Sequence, residues 1–213
     1  AIGAEKPLVG EVTYLATHVH GSDGLGDSGL PLAVSTAVSP LTAVELIDEL
    51  SERYRGDLRM LAVGPLTNIA HALDAISDLT DRVVDIVIMG GAADVAGNQS
   101  PAAEANIIHD PEAAQRVLAA EWNTTLVPLD VTMLEVLTEE HRARLVAADT
   151  PVSRFVAATT DFYFGGYGVD SYGKRCSPCH DALAAAILTG EMVPSIFPLI
   201  AVEVDRTDGP SRG

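Results

Sequence analysis

The chain has 213 residues, 47% of them apolar, with 18 glycines and 12 prolines, a composition ordinary for a globular protein and unlike a collagen-like, low-complexity or disordered one. Thirteen basic against thirty acidic residues leave a net charge of −17, which repels nucleic-acid phosphates and anionic membranes, so neither is expected as a partner. No apolar run approaches the roughly 18 residues of a membrane span, and the first ten residues hold Glu5 and Lys6 instead of a basic stretch leading into an apolar one, so a soluble, cytoplasmic protein is expected.

From the N-terminus, Thr17 to Asp27 (THVHGSDGLGD) reads as a glycine-rich loop whose backbone could approach a ligand beside His20. Taken alone, a turn with exposed histidines explains it as well. Thr42-x-x-Glu45 is a capping box for a helix with Val44, Ile47, Leu50 and Tyr54 inward, ending near Gly56. Leu58 with Met60 to Val63 is a short apolar run stopped by Gly64-Pro65. Val83, Val84 and Ile86 to Met89 form another, stopped by Gly90-Gly91, and both read as buried strands. Between them Ile69, Ala70, Leu73 and Ile76 recur at helical spacing behind Thr67, the expected N-cap, which gives the strand, helix, strand pattern of a parallel crossover. Asp110-Pro111-Glu112 opens a helix carrying Ala114, Val117 and Leu118, and Thr124 to Leu129 supplies a further strand. After Val131 the pattern turns helical, over Glu139 to Ala148, Val152 to about Phe164 and Asp181 to Leu188, before a terminal strand around Leu199 to Val204. The alternation predicts an α/β fold, a mostly parallel sheet flanked by helices in the Rossmann-like open manner, with a helical C-terminal flank, in a single domain over 1–213.

Ligands of open α/β sheets collect outside the carboxyl ends of the strands, which singles out Gly64 to Asn68, Gly90-Gly91 through Asn98 to Asn106, and Asp130. Asn98, Glu104 and Asn106 would make a hydrogen-bonding surface for a polyhydroxylated neutral ligand such as a sugar, although a solvated loop ahead of the next helix could carry the same residues. No G-x-G-x-x-G enters a helix, as a dinucleotide phosphate site would require. In Cys179-His180-Asp181-Ala182 a loop enters an apolar helix: Asp181 suits a metal ligand or an N-terminal cap, and His180 a proton donor near neutral pH. Cys176 and Cys179 form one C-x-x-C, too few ligands for a tetrahedral zinc site, and read as reduced thiols in a loop.

In order along the chain stand His20-Gly-Ser-Asp-Gly-Leu-Gly, Val63-Gly-Pro-Leu-Thr-Asn-Ile-Ala, Met89-Gly-Gly with Gly97-Asn98, Ala103-Glu104-Ala105-Asn106 leading to Asp110-Pro111-Glu112, Leu129-Asp-Val-Thr132, and His180-Asp181-Ala182. With these motifs the chain resembles the inosine-uridine-preferring nucleoside hydrolase family over nearly its whole length. The resemblance implies hydrolysis of the N-glycosidic bond of a ribonucleoside at a bound calcium ion, in nucleoside salvage, by a homodimer or homotetramer. Carried over residue by residue, it implies Asp181 and the Val63 carbonyl as calcium ligands. It also implies Asn98, Glu104 and Asn106 as holders of the ribose hydroxyls with Met89 beside the sugar, and His20 and His180 facing the base, His180 as the catalytic acid.

One departure is large. The family's N-terminal Asp-x-Asp-x-Gly-x-Asp-Asp cluster, which supplies two calcium carboxylates and the water-activating base, has no counterpart here, so the chain is expected to be incomplete at both ends and inactive as given. The alternative expectation is a non-catalytic relative that binds ribose or a nucleoside. A smaller departure is Ala105, where the family commonly has Phe.

Overall fold

The computed structural model describes residues 1–12, 15–29 and 38–213. In chain order they form α1 (Thr17–His20), α2 (Ala43–Arg53), β1 (Leu58–Ala62), α3 (Thr67–Ala75), α4 (Leu79–Arg82), β2 (Val83–Met89), α5 (Ala105–Ile108), α6 (Pro111–Leu118), β3 (Thr124–Val127), α7 (Leu129–Thr132), β4 (Val136–Thr138), α8 (Glu139–Ala148), α9 (Pro151–Tyr163), a π-helical turn (Phe164–Gly168), α10 (Val169–Tyr172), β5 (Cys176–Pro178) and α11 (His180–Leu188). The chain divides into two compact units, 1–13 with 36–131 and 180–213, and 14–35 with 132–179. No helix among the described residues is long and apolar enough to cross a membrane.

The first unit is the α/β fold expected from the sequence. Its strands lie in the order β1, β2, β3, all parallel, with Ala62 opposite Ile88 and Met89 opposite Val127, so their carboxyl ends share one edge. The core follows from the apolar runs: Ile86 and Ile88 of β2 are fully buried, and Leu66, Ala70, Ala72, Leu79, Ala113, Ala114 and Val117 from the surrounding helices close over them. The capping box of α2 is present, Thr42 accepting from the Glu45 N–H while the Glu45 carboxylate accepts from Thr42. Asp110 caps α6 ahead of Pro111. Its buried carboxylate also accepts from the Leu8 N–H at 2.8 Å and the Thr67 hydroxyl at 2.6 Å, which ties the N-terminal segment and the start of α3 to α6.

Several expectations are corrected. Thr67 is not the N-cap of α3. Leu66 holds that place without a side-chain bond, and the Thr67 hydroxyl goes to Asp110. Tyr54 is 45% exposed and lies under the Arg53 guanidinium instead of facing inward. Residues 199–204 form no strand: Leu199 is fully exposed, and only Val204 is buried, its N–H donating to the Gln115 side chain.

In the second unit α8 and α9 pack together, and β4 pairs antiparallel with β5. That pairing puts Cys176 in a strand, not in the loop expected for it, while Cys179 follows the strand outside any helix or strand. Four charges clamp this unit: Arg142 reaches Asp161 at 3.0 Å, and Arg175 reaches Glu139 at 2.6 Å and Asp161 at 2.7 Å. His20 ends a four-residue helix, not a loop. The turn after it is held by its own acids, Asp27 accepting from Ser22 and Asp23 accepting from Leu25 and Asp27.

Candidate active site

Four of the residues singled out from the sequence cluster around the carboxyl end of β2. Met89 is its last residue and is buried. The Asn106 Nδ2 donates to the Met89 carbonyl at 3.2 Å and approaches its sulfur at 3.3 Å. Asn98 is exposed and accepts through Oδ1 from the Ala105 N–H at 2.9 Å. Glu104 is 2% exposed, and its Oε2 accepts from the N–H groups of Asn106 at 2.9 Å, Ile107 at 3.2 Å and Gly91 at 3.3 Å.

Local sequence explains this cradle. Glu104 is the N-cap of α5, so its carboxylate takes the amides that a helix start leaves unpaired. The carboxylate comes so close to the end of β2 that a Cβ on Gly90 would lie 3.2 Å from Oε2 and 3.0 Å from Ile107, and Gly91 stands at φ +87°. The Met89-Gly90-Gly91 punctuation that ends the strand is therefore also what admits the acid.

Burial pushes the Glu104 carboxyl above its ordinary range. The three amides offset part of that, and the charge of Asp181 adds to it. Asp181 lies in the first turn of α11, a helix that packs on β2 and β1. It keeps contact with water, yet the protein around it also raises its carboxyl above the usual range. Carboxyl groups that burial makes reluctant to ionise gain from an approaching positive charge, which favours their ionised form. His180, half-buried, opens the same helix. Val63 follows β1 at the same edge of the sheet and is 40% exposed.

His20 belongs to the second unit, where its ring stacks on Tyr163 at 5.8 Å and 6°, and Tyr163 stacks on Tyr167 at 5.2 Å and 9°. Partial burial, with the charge of His18 second, lowers the His20 pKa and keeps the ring neutral near pH 7. Sequence reasoning missed both tyrosines, although their i, i+4 spacing on a helix would have placed them on one face.

Calcium takes six to eight oxygen ligands. Among the described residues no group of three or more His, Cys, Asp or Glu could hold a metal ion, and Asp181 with one carbonyl does not fit a complete calcium site.

Fold and site together describe an α/β protein with a cluster of carboxyl and amide groups at the carboxyl end of its central strand. The family model described as inosine-uridine preferring nucleoside hydrolase matches residues 1–213, and the chain belongs to that family. It is 37% identical to the inosine-uridine preferring nucleoside hydrolase of Leishmania major, over 91% of this chain and 63% of that one. It is 38% identical to a pyrimidine-specific ribonucleoside hydrolase of Shewanella oneidensis, over 92% of this chain and 59% of that one. Among solved structures, a purine-preferring ribonucleoside hydrolase from Gardnerella vaginalis superposes with a TM-score of 0.88 and 31% identity, over 99% of this chain and 67% of that one. A plant nucleoside hydrolase does so with 0.89 and 30%, over 99% and 65%. The chain thus spans less than two thirds of the length of the curated relatives it matches.

Proposed function

We propose that the whole protein hydrolyses the N-glycosidic bond of ribonucleosides, releasing the base and ribose. The observation that carries this reading is the buried Glu104 carboxyl, cradled by three amides, with Asn98 and Asn106 beside it. As the bond to the base breaks, positive charge builds on the ribose, and two carboxyl groups held above their ordinary range stabilise that charge more than they stabilise the neutral substrate.

The hydrogen bonds already made within the site determine what each residue has left to offer. Asn98 spends Oδ1 on Ala105 and keeps its NH₂ as a donor. Glu104 spends Oε2 on backbone and keeps Oε1. Asn106 spends Nδ2 on Met89 and keeps Oδ1. One donor and two acceptors match the two hydroxyls of a ribose diol, each of which can both give and take a proton. Asp181 and the Val63 carbonyl are proposed as two donors to a calcium ion whose remaining ligands, roughly four or more, lie elsewhere. His20, with its ring stack, is proposed as a base-recognising surface of the second unit, and His180 as the acid that protonates the departing base. A cytoplasmic location and a homo-oligomer are proposed on the family resemblance. The names of the relatives, all hydrolases, favour this reading over a non-catalytic binder.

The test uses the whole protein with inosine, uridine and a nitrophenyl riboside. Turnover of a nucleoside is expected, and its absence at millimolar calcium overturns the reading. His180→Ala should slow inosine or uridine by about 10² to 10⁴ and leave the nitrophenyl riboside nearly unchanged, because nitrophenolate departs without a proton. Equal losses on both substrates would make His180 a wall of the pocket instead of an acid.

A further inference from the structure

The Asp130 carboxylate uses both oxygens on successive amides of a distant loop: Oδ2 accepts from Ala93 at 2.9 Å and Oδ1 from Asp94 at 2.7 Å. Its neighbours continue the pattern. The Leu129 N–H donates to the Gly91 carbonyl at 2.9 Å, and the Val127 carbonyl accepts from the Gly90 N–H at 3.2 Å. The loop held in this way runs from the end of β2 to Asn98, and both its ends rest on the start of α5. At one end the Gly91 N–H meets Glu104 Oε2 at 3.3 Å, and at the other Asn98 Oδ1 takes the Ala105 N–H at 2.9 Å.

We propose that Asp130 is a positioning residue for the sugar-binding set, acting through loop 91–98 to hold Asn98 and the Gly91 N–H against Glu104. The proposal rests on the functional reading above. Its physical basis is the two-point grip. One hydrogen bond would leave the loop free to pivot, whereas two bonds from one rigid carboxylate to consecutive amides fix its orientation as well as its position. Asp130 lies in the first turn of α7, where a carboxylate ordinarily serves its own helix, yet both of its oxygens face a segment more than thirty residues earlier in the chain. Asn98 is exposed, with its one bond to Ala105, so its place depends on the backbone that carries it.

A double-mutant cycle in the whole protein tests this. Asp130→Ala should lower kcat/KM on a ribonucleoside by roughly ten- to a hundredfold, the cost of a slightly misplaced binding group, and Asp130→Asn, which keeps one acceptor oxygen, should lose less. If Asp130 acts through the loop, the Asp130→Ala, Asn98→Ala double variant should lose clearly less than the product of the two single losses, the remainder being the Gly91 contact that Asn98→Ala leaves in place. Losses that multiply would overturn the proposal. A second readout does not depend on activity: in Asp130→Ala, amide hydrogen exchange at Gly91 and Ala105 should quicken, and unchanged exchange there would overturn it too. Should the unmutated protein turn over no nucleoside, the functional reading fails by itself, and the exchange measurement still decides whether Asp130 holds the loop.

Discussion

In the first unit the acids Glu104 and Asp110 have almost no contact with water and are satisfied by backbone N–H groups and one hydroxyl. In the second unit Glu139 and Asp161 are about half exposed and are satisfied by the guanidinium groups of Arg142 and Arg175. Amides belong to the fold, so the first unit's site inherits the stiffness of a parallel sheet whose buried apolar cluster lies wholly within that unit. Guanidinium groups sit on long stems, that of Arg175 in contact with water, so these second-unit ion pairs are contacts that salt screens and that can rearrange. A sugar with fixed hydroxyl geometry suits the first kind of scaffold. The four-residue helix that carries His20 belongs to the second.

The sharpest way to break this comparison is to neutralise the first unit's buried charge. Glu104→Gln keeps an acceptor for the three amides but removes the charge, and should lower kcat/KM in the whole protein by about 10² to 10³ while raising stability at pH 7. The sign follows from the direction of the shift. A carboxyl raised in the folded state holds its proton longer there than in the unfolded chain, so stability falls as pH climbs from the ordinary carboxylate range through the raised value. The variant's advantage should therefore be present at pH 7 and vanish near pH 4, where both forms are neutral. Urea midpoints at the two pH values check this, and a Gln variant less stable at pH 7 would show that the charge is compensated.

Next in size is a pair of truncations. Asp110→Ala strands the buried Thr67 hydroxyl and the Leu8 and Ala113 N–H groups, and should cost the first unit about 3 kcal/mol. Arg175→Ala in the second unit removes only exposed ion pairs, should cost below about 1 kcal/mol, and its cost should fade in molar salt, whereas that of Asp110→Ala should persist. Comparable, salt-insensitive losses at both positions would erase the distinction between the units.

The same contrast explains what was legible in the sequence. The three parallel strands and the helices opened by Thr42 and Asp110 were readable because apolar periodicity, caps and Gly or Pro stops all agree there. Thr67 misled because its hydroxyl answers Asp110, 43 residues away, a demand that no local pattern carries. Residues 199–204 misled because apolarity alone does not make a strand without a partner to pair with. Strand β5, Cys-Ser-Pro, has no β-branched residue and exists through its register with Val136 to Thr138. Within the site, polarity after β2 pointed to Asn98, Glu104 and Asn106, but not to which of them would be buried. That depended on how closely Gly90 and Gly91 let α5 approach.

The smallest expected effect concerns Cys176 and Cys179. The ladder between β4 and β5 continues past Pro178, because the Cys179 N–H donates to the Glu135 carbonyl at 2.8 Å, so the two cysteines lie three residues apart along extended backbone. At about 3.3 Å per residue their Cα atoms stand roughly 10 Å apart, beyond the roughly 7 Å that a disulfide can bridge. Burial also pushes the Cys179 thiol up, which keeps it protonated and slow to react near pH 7. Cys179→Ser should therefore leave stability within about 0.5 kcal/mol of the parent, and Cys176→Ser, which places a hydroxyl at a fully buried position, should cost about 1 kcal/mol. Mild oxidant should form no intramolecular disulfide in the folded chain, and zinc content should be nil. A disulfide formed without loss of the β4–β5 pairing, or stoichiometric zinc lost in the double Ser variant, would show that the second unit's strand rearranges far more readily than its salt bridges imply.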